Sequence, residues 1–360
     1  MKLVFFGLTI SSSWGNGHAT LHRALFRQLI ARGHCVVFFE RDTPYYAAHR
    51  DLHELPGGKL ILYSDWEDAL PQARHELADA DVAIVTSYCF DGIAASELVW
   101  SSSILRVFYD MDTPVTLSNV RAGKPLTYVD QRGLGEFDLV LSFTGGRALA
   151  ALEEELGARK AVPLYGSVDP DLYHRVRPNE YYRADFSYLG TYAADRQAAL
   201  ERLFLEPARL RPNERFVLGG AQYPEQFPWS SNIYFLQHLA PSQHPAFFSS
   251  SRLTLNVTRE TMKAMGWCPS GRLFEASACG CPIVSDNWPG LDEFFTAGEE
   301  IVIAESTQDS LGALELSDAE LSRIADAARE RTLAEHSSAR RAEELEELLM
   351  GARETLTVEV

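Results

Sequence analysis

The chain has 360 residues, 46% of them hydrophobic, and a formal net charge of −17. That length exceeds a single ordinary core and fits two domains of about 150 to 180 residues each. The negative balance argues against nucleic acid and against anionic membrane surfaces as main partners. The charge is unevenly spread: from Asp292 onward 18 Asp and Glu face 6 Arg and no Lys, so −12 of the −17 lies there and reads as a solvated helical face.

Along the first part, short apolar runs alternate with helical patterns. The predicted strands are 3–7, 36–40, 60–63, 82–87, 105–110, 139–143 and 161–165. Between the first two, Leu21, Ala24, Leu25, Gln28 and Leu29 keep helical spacing and Gly33 ends the helix. After a connector punctuated by Pro and Asp the pattern restarts, with strands predicted at 186–190, 215–220, 233–237, 253–258, 282–286 and 300–304. Buried strands separated by helices imply βαβ units and parallel sheets. Two such doubly wound units would leave a cleft along the C-terminal edges of their strands, where ligands bind. The tail from Ser317 to Glu354 is predicted helical, with Leu333, Leu345, Leu348 and Leu349 as its apolar contacts.

The cysteines, Cys35, Cys89, Cys268, Cys279 and Cys281, are odd in number and form no CxxC pair, so neither a disulfide framework nor a zinc site is indicated. The apolar N-terminal run lacks the signature of a signal peptide and reads as a first strand. No stretch approaches the roughly 20 apolar residues of a membrane span, and the expected compartment is the cytoplasm.

One segment carries the strongest chemical signal. In GRLFEASACGCPIVSDN (271–287) a single acid, Glu275, sits in a short helix of otherwise apolar or small residues. Ser270 is a good N-cap and Gly280 closes the helix. The free N–H groups and dipole at such a start favour an anion, typically a phosphate. A carboxylate one turn further along can accept both hydrogen bonds of a ribose 2′,3′-diol. The pattern describes a nucleotide, with its diphosphate at Ser270 and Gly271 and its sugar hydroxyls on Glu275. Arg272, at a position where the dipole disfavours a cation, supports a bound anion. The competing reading makes Glu275 and Arg272 an i,i+3 surface pair, which so apolar a helix disfavours.

The segment GRLFEASACGCPIVSDNWPGLDEFF (271–295) resembles the donor site of GT-B glycosyltransferases of the "group 1" type. LNVTR (255–259), CPSGRLFEASACG (268–280) and SYLGTYAADRQ (187–197) are similar to the CgeB-like, spore-maturation-type bacterial glycosyltransferases. With VFYDMDTPVTL (107–117), SFTGG (142–146) and PLYGSVDPDLY (163–173) the resemblance takes in most of the chain. It implies two Rossmann-like domains facing across a cleft, a C-terminal helix crossing back to the first domain, and sugar transfer of the hexosyltransferase type from a nucleotide-diphosphate donor with retention of configuration. Many relatives carry an acid eight residues before the nucleotide-binding Glu; here that position is Trp267.

Other residues complete the expected site. Arg259 follows the 253–258 strand and Lys263 comes one helical turn later, where fixed cations would stabilise a departing diphosphate without a metal. Tyr192 and Arg196 follow the first strand of the second half and would also face the donor. In SSSWGNGHA (11–19), Gly15 and Gly17 permit close backbone approach, and His18 is a candidate ligand contact or base. That loop lacks the third glycine of a dinucleotide fingerprint, so Glu40, ending the second strand, keeps only a weak nicotinamide reading alive. YDMDTP (109–114) offers Asp110 first and Asp112 second as general base for an acceptor hydroxyl. Read as D-x-D it evokes the metal site of the other glycosyltransferase fold, which lacks this two-unit pattern.

The expected organisation is therefore an acceptor-side domain over 1–171, a donor domain over 172–335, and a helix and tail over 336–360 that packs on the first domain. Asp110, His18 and Asp112 would carry catalysis. No metal or cofactor is expected beyond the nucleotide-sugar donor. The acceptor is a glycan, lipid, protein or small molecule, and neither nucleic acid nor a transmembrane segment is expected. The rival functions are a GT-B-fold nucleotide-sugar epimerase, a catalytically idle nucleotide-sugar-binding protein suggested by Trp267, and a nicotinamide oxidoreductase.

Overall fold

In the computed structural model, which describes residues 1–358, the chain forms two parallel sheets in two separate units. The first contains β1 (Lys2–Gly7), β2 (Cys35–Arg41), β3 (Lys59–Tyr63), β4 (Val82–Thr86), β5 (Leu105–Asp110), β6 (Leu139–Ser142) and β7 (Ala161–Pro163), in the order β3-β2-β1-β4-β5-β6-β7. The second contains β8 (Phe186–Leu189), β9 (Phe216–Gly220), β10 (Ile233–Gln237), β11 (Thr254–Asn256), β12 (Ile283–Ser285) and β13 (Val302–Ile303), in the order β10-β9-β8-β11-β12-β13. Each overlaps a predicted run, β1 to β3 reaching one residue beyond theirs, and every pairing is parallel.

The reason is visible in the central strands. Residues 3–6, 36–39 and 82–85 are at most 1% exposed, so both faces of the sheet are covered and apolar runs are selected over alternation. Strand order reverses between β1 and β4 in one unit and between β8 and β11 in the other. Segments leaving those strands are thereby set at the edge where doubly wound sheets bind ligands. Crossover helices run back against the strands, so the start of the Gly271–Ala278 helix lies on that same edge of its unit.

The units are 1–166 with 338–360, and 167–337, a few residues from the expected limits of 171 and 335. Val168 already bridges Ser337, and its N–H donates to the His336 carbonyl at 2.9 Å, so the outgoing and returning chain segments pair where the second unit begins. The tail is two helices, Asp318–Glu335 and Ser338–Val358, and the break between them at His336 and Ser337 lies at the expected 335/336 limit. Ala342, Leu345 and Leu349 join the first unit's core beside Leu25, Phe26 and Leu29 of the Gly17–Ala31 helix. Arg32 Nε, just past the end of that helix, reaches Glu346 Oε2 at 2.8 Å.

Candidate active site

In the second unit, Ser270 Oγ accepts from the backbone N–H of Arg272 at 3.4 Å and caps the Gly271–Ala278 helix. Gly280, at φ +68°, ends it; a Cβ there would lie 2.0 Å from the Arg175 guanidinium. Glu275 does not form the alternative surface pair with Arg272. Its partner is His244, whose Nδ1 lies 3.8 Å from Oε2 with the Glu275 side chain 17% exposed. Oε1 faces the helix start, 3.9 Å from where a Cβ on Gly271 would sit. Burial pushes the carboxyl pKa up, but His244, Arg272 and the Tyr173 hydroxyl together hold it below its ordinary value. The result is a fixed carboxylate one turn behind a helix start.

The expected cations divide into two groups. Arg272 Nε and Arg196 Nε are buried without hydrogen-bond partners. Both guanidiniums favour ionisation of the half-buried Tyr223 hydroxyl, against the burial that raises its pKa, and this hydroxyl donates to the Gly190 carbonyl at 2.8 Å. Tyr192 packs edge-on against Tyr223 with ring centroids 5.6 Å apart. Arg259 and Lys263, by contrast, already have acids: Arg259 Nε lies 3.1 Å from Asp195 Oδ2, and Lys263 Nζ lies 3.6 Å from Asp286 Oδ2. Asp286 is 2% exposed and its Oδ1 accepts from Thr258 N and Oγ1 at 3.0 and 2.9 Å, so it is a buried anchor. Each of the two expected phosphate contacts, at 259 and 263, therefore already has an acid beside it. The acids neutralise them, and a ligand phosphate would have to compete with a carboxylate already in place.

Trp267 adopts φ +46°, unusual for a bulky residue. Its N–H donates to the Pro289 carbonyl at 2.7 Å and its Nε1–H to Glu293 Oε1 at 2.5 Å.

In the first unit, the residues leaving β1, β4 and β5 come together. Asn16 Oδ1 accepts from His18 N at 3.0 Å and opens the Gly17–Ala31 helix. Gly15 turns at φ +60°, and beyond Gly17 the space is open. His18 Nε2 lies 3.6 Å from Asp112 Oδ2, with the side chains 15% and 24% exposed. Tyr88 stays a phenol because burial, and then the Asp112 charge, raise its pKa.

Asp110, the first expected base, is corrected. It is 0% exposed, and its Oδ1 is occupied by Asp112 N and Thr116 Oγ1, both at 3.1 Å. Burial raises its pKa to about 6. It braces the turn that presents Asp112 and has no solvent-facing oxygen. Glu40 is likewise internal, accepting from Thr9 Oγ1, Ile10 N, Ser11 N and Ser11 Oγ at 2.6, 2.8, 2.9 and 2.5 Å. Those four bonds fill it and remove the support for a nicotinamide ribose.

Residues 196–347 match the model of a family described as Glycosyl transferase-like. No curated protein matches the chain by sequence. Among solved structures, sucrose-phosphate synthase of Thermosynechococcus elongatus aligns with TM-score 0.72 and 13% identity over 99% of this chain and 100% of that one. The fold is GT-B. Anabaena HepE in complex with UDP-glucose aligns at TM-score 0.66 and 13% identity, covering 98% and 100% of the two chains. The catalytic domain of Arabidopsis thaliana starch synthase IV, bound to ADP and acarbose, aligns at TM-score 0.68 and 11% identity, covering 98% and 99%.

Within this GT-B chain, sequence reasoning missed His244, Tyr173 and Asp286 as neighbours of the expected residues. Tyr173 closes PLYGSVDPDLY, which entered the resemblance without any role for the tyrosine, and His244 lies in a stretch without charge or periodicity. Among the described residues no helix is long and apolar enough to cross a membrane.

Proposed function

We propose that the chain is a glycosyltransferase of the CgeB-like type that moves a hexosyl group from a nucleotide-diphosphate donor to an acceptor. The observation that carries this reading is Glu275, an ionised carboxylate held one turn behind a capped helix start, with the partnerless Nε of Arg272 beside it. Ribose hydroxyls would donate to Glu275, while the diphosphate would take the N–H groups at Ser270 and Gly271 and the guanidiniums of Arg272 and Arg196. HepE in complex with UDP-glucose and starch synthase IV bound to ADP share the fold and support a nucleotide donor.

The donor's leaving diphosphate gathers negative charge as the glycosyl centre becomes cationic. Two arginines and a helix start offset that charge, which is the basis for proposing transfer without a metal ion. The first unit would hold the acceptor, whose hydroxyl loses a proton to Asp112, with His18 Nε2 and Tyr88 orienting the carboxylate. His18 Nδ1 has neither solvent nor a hydrogen-bond partner, so Asp112 is the member of the pair that reaches a ligand. We further propose a cytoplasmic location.

Retention of configuration is the outcome carried over from the resemblance. The Asp112–His18 pair favours a second reading, inversion, because a base that activates the acceptor suits direct attack from the opposite face. The anomer first released from the donor, followed by NMR, separates the two.

The decisive experiment is a thermal-shift and calorimetric screen against UDP, GDP, dTDP and ADP and against CMP-linked sugar. One diphosphate is expected to stabilise the protein; at a hundredfold excess over its Kd the gain is about 2.7 kcal/mol. Glu275→Ala should abolish most of it. A melting temperature unmoved by every nucleotide would remove the enzyme assignment.

A further inference from the structure

Two side chains from distant segments converge behind Glu275. His244 Nε2–H donates to the Leu239 carbonyl at 3.1 Å and fixes the ring, and the imidazolium form presents a second N–H at Nδ1. Nδ1 is thereby turned toward Glu275 Oε2 at 3.8 Å and Tyr173 Oη at 3.3 Å. Tyr173 is 4% exposed, and burial, followed by the Glu275 charge, keeps its hydroxyl protonated and able to donate. The His244 contact is made at Oε2. Oε1, on the opposite side, faces the helix start beside Gly271.

We propose that His244 and Tyr173 are positioning residues that hold Glu275 by Oε2, so that the carboxylate meets the ribose diol of the donor in one orientation and discriminates ribose from dideoxyribose. The inference rests on the nucleotide-sugar reading. A glutamate has several rotatable bonds, and ordering them before the ligand arrives removes that cost from binding. The nucleotide's base and phosphates do not need this order, so its loss should fall on the sugar hydroxyls alone.

The test is calorimetric titration of the full chain with UDP and 2′,3′-dideoxy-UDP, and with ADP and 2′,3′-dideoxy-ADP. Wild type should prefer the ribonucleotide of the pair it binds by about tenfold or more, as expected for hydrogen bonds to a charged acceptor. His244→Phe and Tyr173→Phe should bring that preference below about threefold while leaving dideoxynucleotide affinity unchanged. His244→Asn, which keeps an N–H near the place of Nδ1, should restore most of it. If His244→Phe weakens both members of a pair equally, or leaves the preference intact while Tyr173→Phe does the same, the positioning role is overturned. If wild type binds neither pair, or binds ribo- and dideoxy-forms alike, the failure lies in the nucleotide reading of Glu275, and the positioning role falls with it.

Discussion

Asp112 Oδ2 lies 3.6 Å from His18 Nε2, and the two residues come from the ends of different strand–helix turns. A carboxylate with a fixed imidazole neighbour and 24% of its side chain exposed can take a proton from a ligand; the fully buried Asp110, two residues earlier, cannot. Asp112→Asn should lower turnover by about 10²- to 10⁴-fold, the usual range for a general base, with donor affinity unchanged. His18→Ala should cost less, since it removes only orientation. Hydrolysis of the best-binding nucleotide sugar, followed alongside calorimetry, measures both effects. An Asp112→Asn variant within threefold of wild type would end the base assignment.

Asp110 makes a prediction about stability rather than rate. Burial raises its pKa to about 6, above the ordinary 3.8, so the folded protein holds this proton over a range where the unfolded chain has lost it. The favourable contribution is therefore complete below about pH 4 and is lost as pH rises through 6. At 1.36 kcal/mol per unit the ionised group costs the fold about 3 kcal/mol at neutral pH. Asp110→Asn keeps the acceptor for Asp112 N and cannot ionise. Relative to wild type it should gain about 2 to 3 kcal/mol between pH 4.5 and 7.5 in urea unfolding. Parallel pH profiles for the two proteins would show that the carboxyl is not held neutral.

Gly290 has φ +86°, and a Cβ there would stand 2.5 Å from the Trp267 indole. Trp267 has little freedom to yield, since its backbone N–H is bonded to Pro289 and its indole N–H to Glu293. Gly290→Ala should destabilise the second unit by about 1 to 3 kcal/mol through left-handed strain and displacement of the ring. Chemical unfolding with tryptophan fluorescence reads both. A loss under about 0.5 kcal/mol would show that the indole moves aside freely.

Much of the Gly271–Ala278 helix was legible in advance. Ser270 as cap, Gly280 as stop and Glu275 one turn inside are local features, each set by neighbours a few residues away. The parallel sheets were equally legible, because uninterrupted apolar runs such as 36–39 survive only where both faces are covered. Arg259 and Lys263 illustrate the limit. Strand ends and helical spacing brought them to the right edge, yet nothing in the sequence told that Asp195 and Asp286 would already occupy them.

The linear order of residues thus determined the architecture: among the described residues thirteen strands, two units, and a returning tail helix whose expected start at 336 lies within two residues of Ser338. Those features follow from hydrophobic period, capping and chain reversal, which act over a few residues. The identity of each functional partner was decided only when strand order brought distant segments together. Asp112 meets His18, Glu275 meets His244 and Tyr173, and Glu40 is consumed by the loop after β1. Charge and hydrogen-bond pairing depend on distances of a few ångströms between segments tens of residues apart, and packing sets those distances.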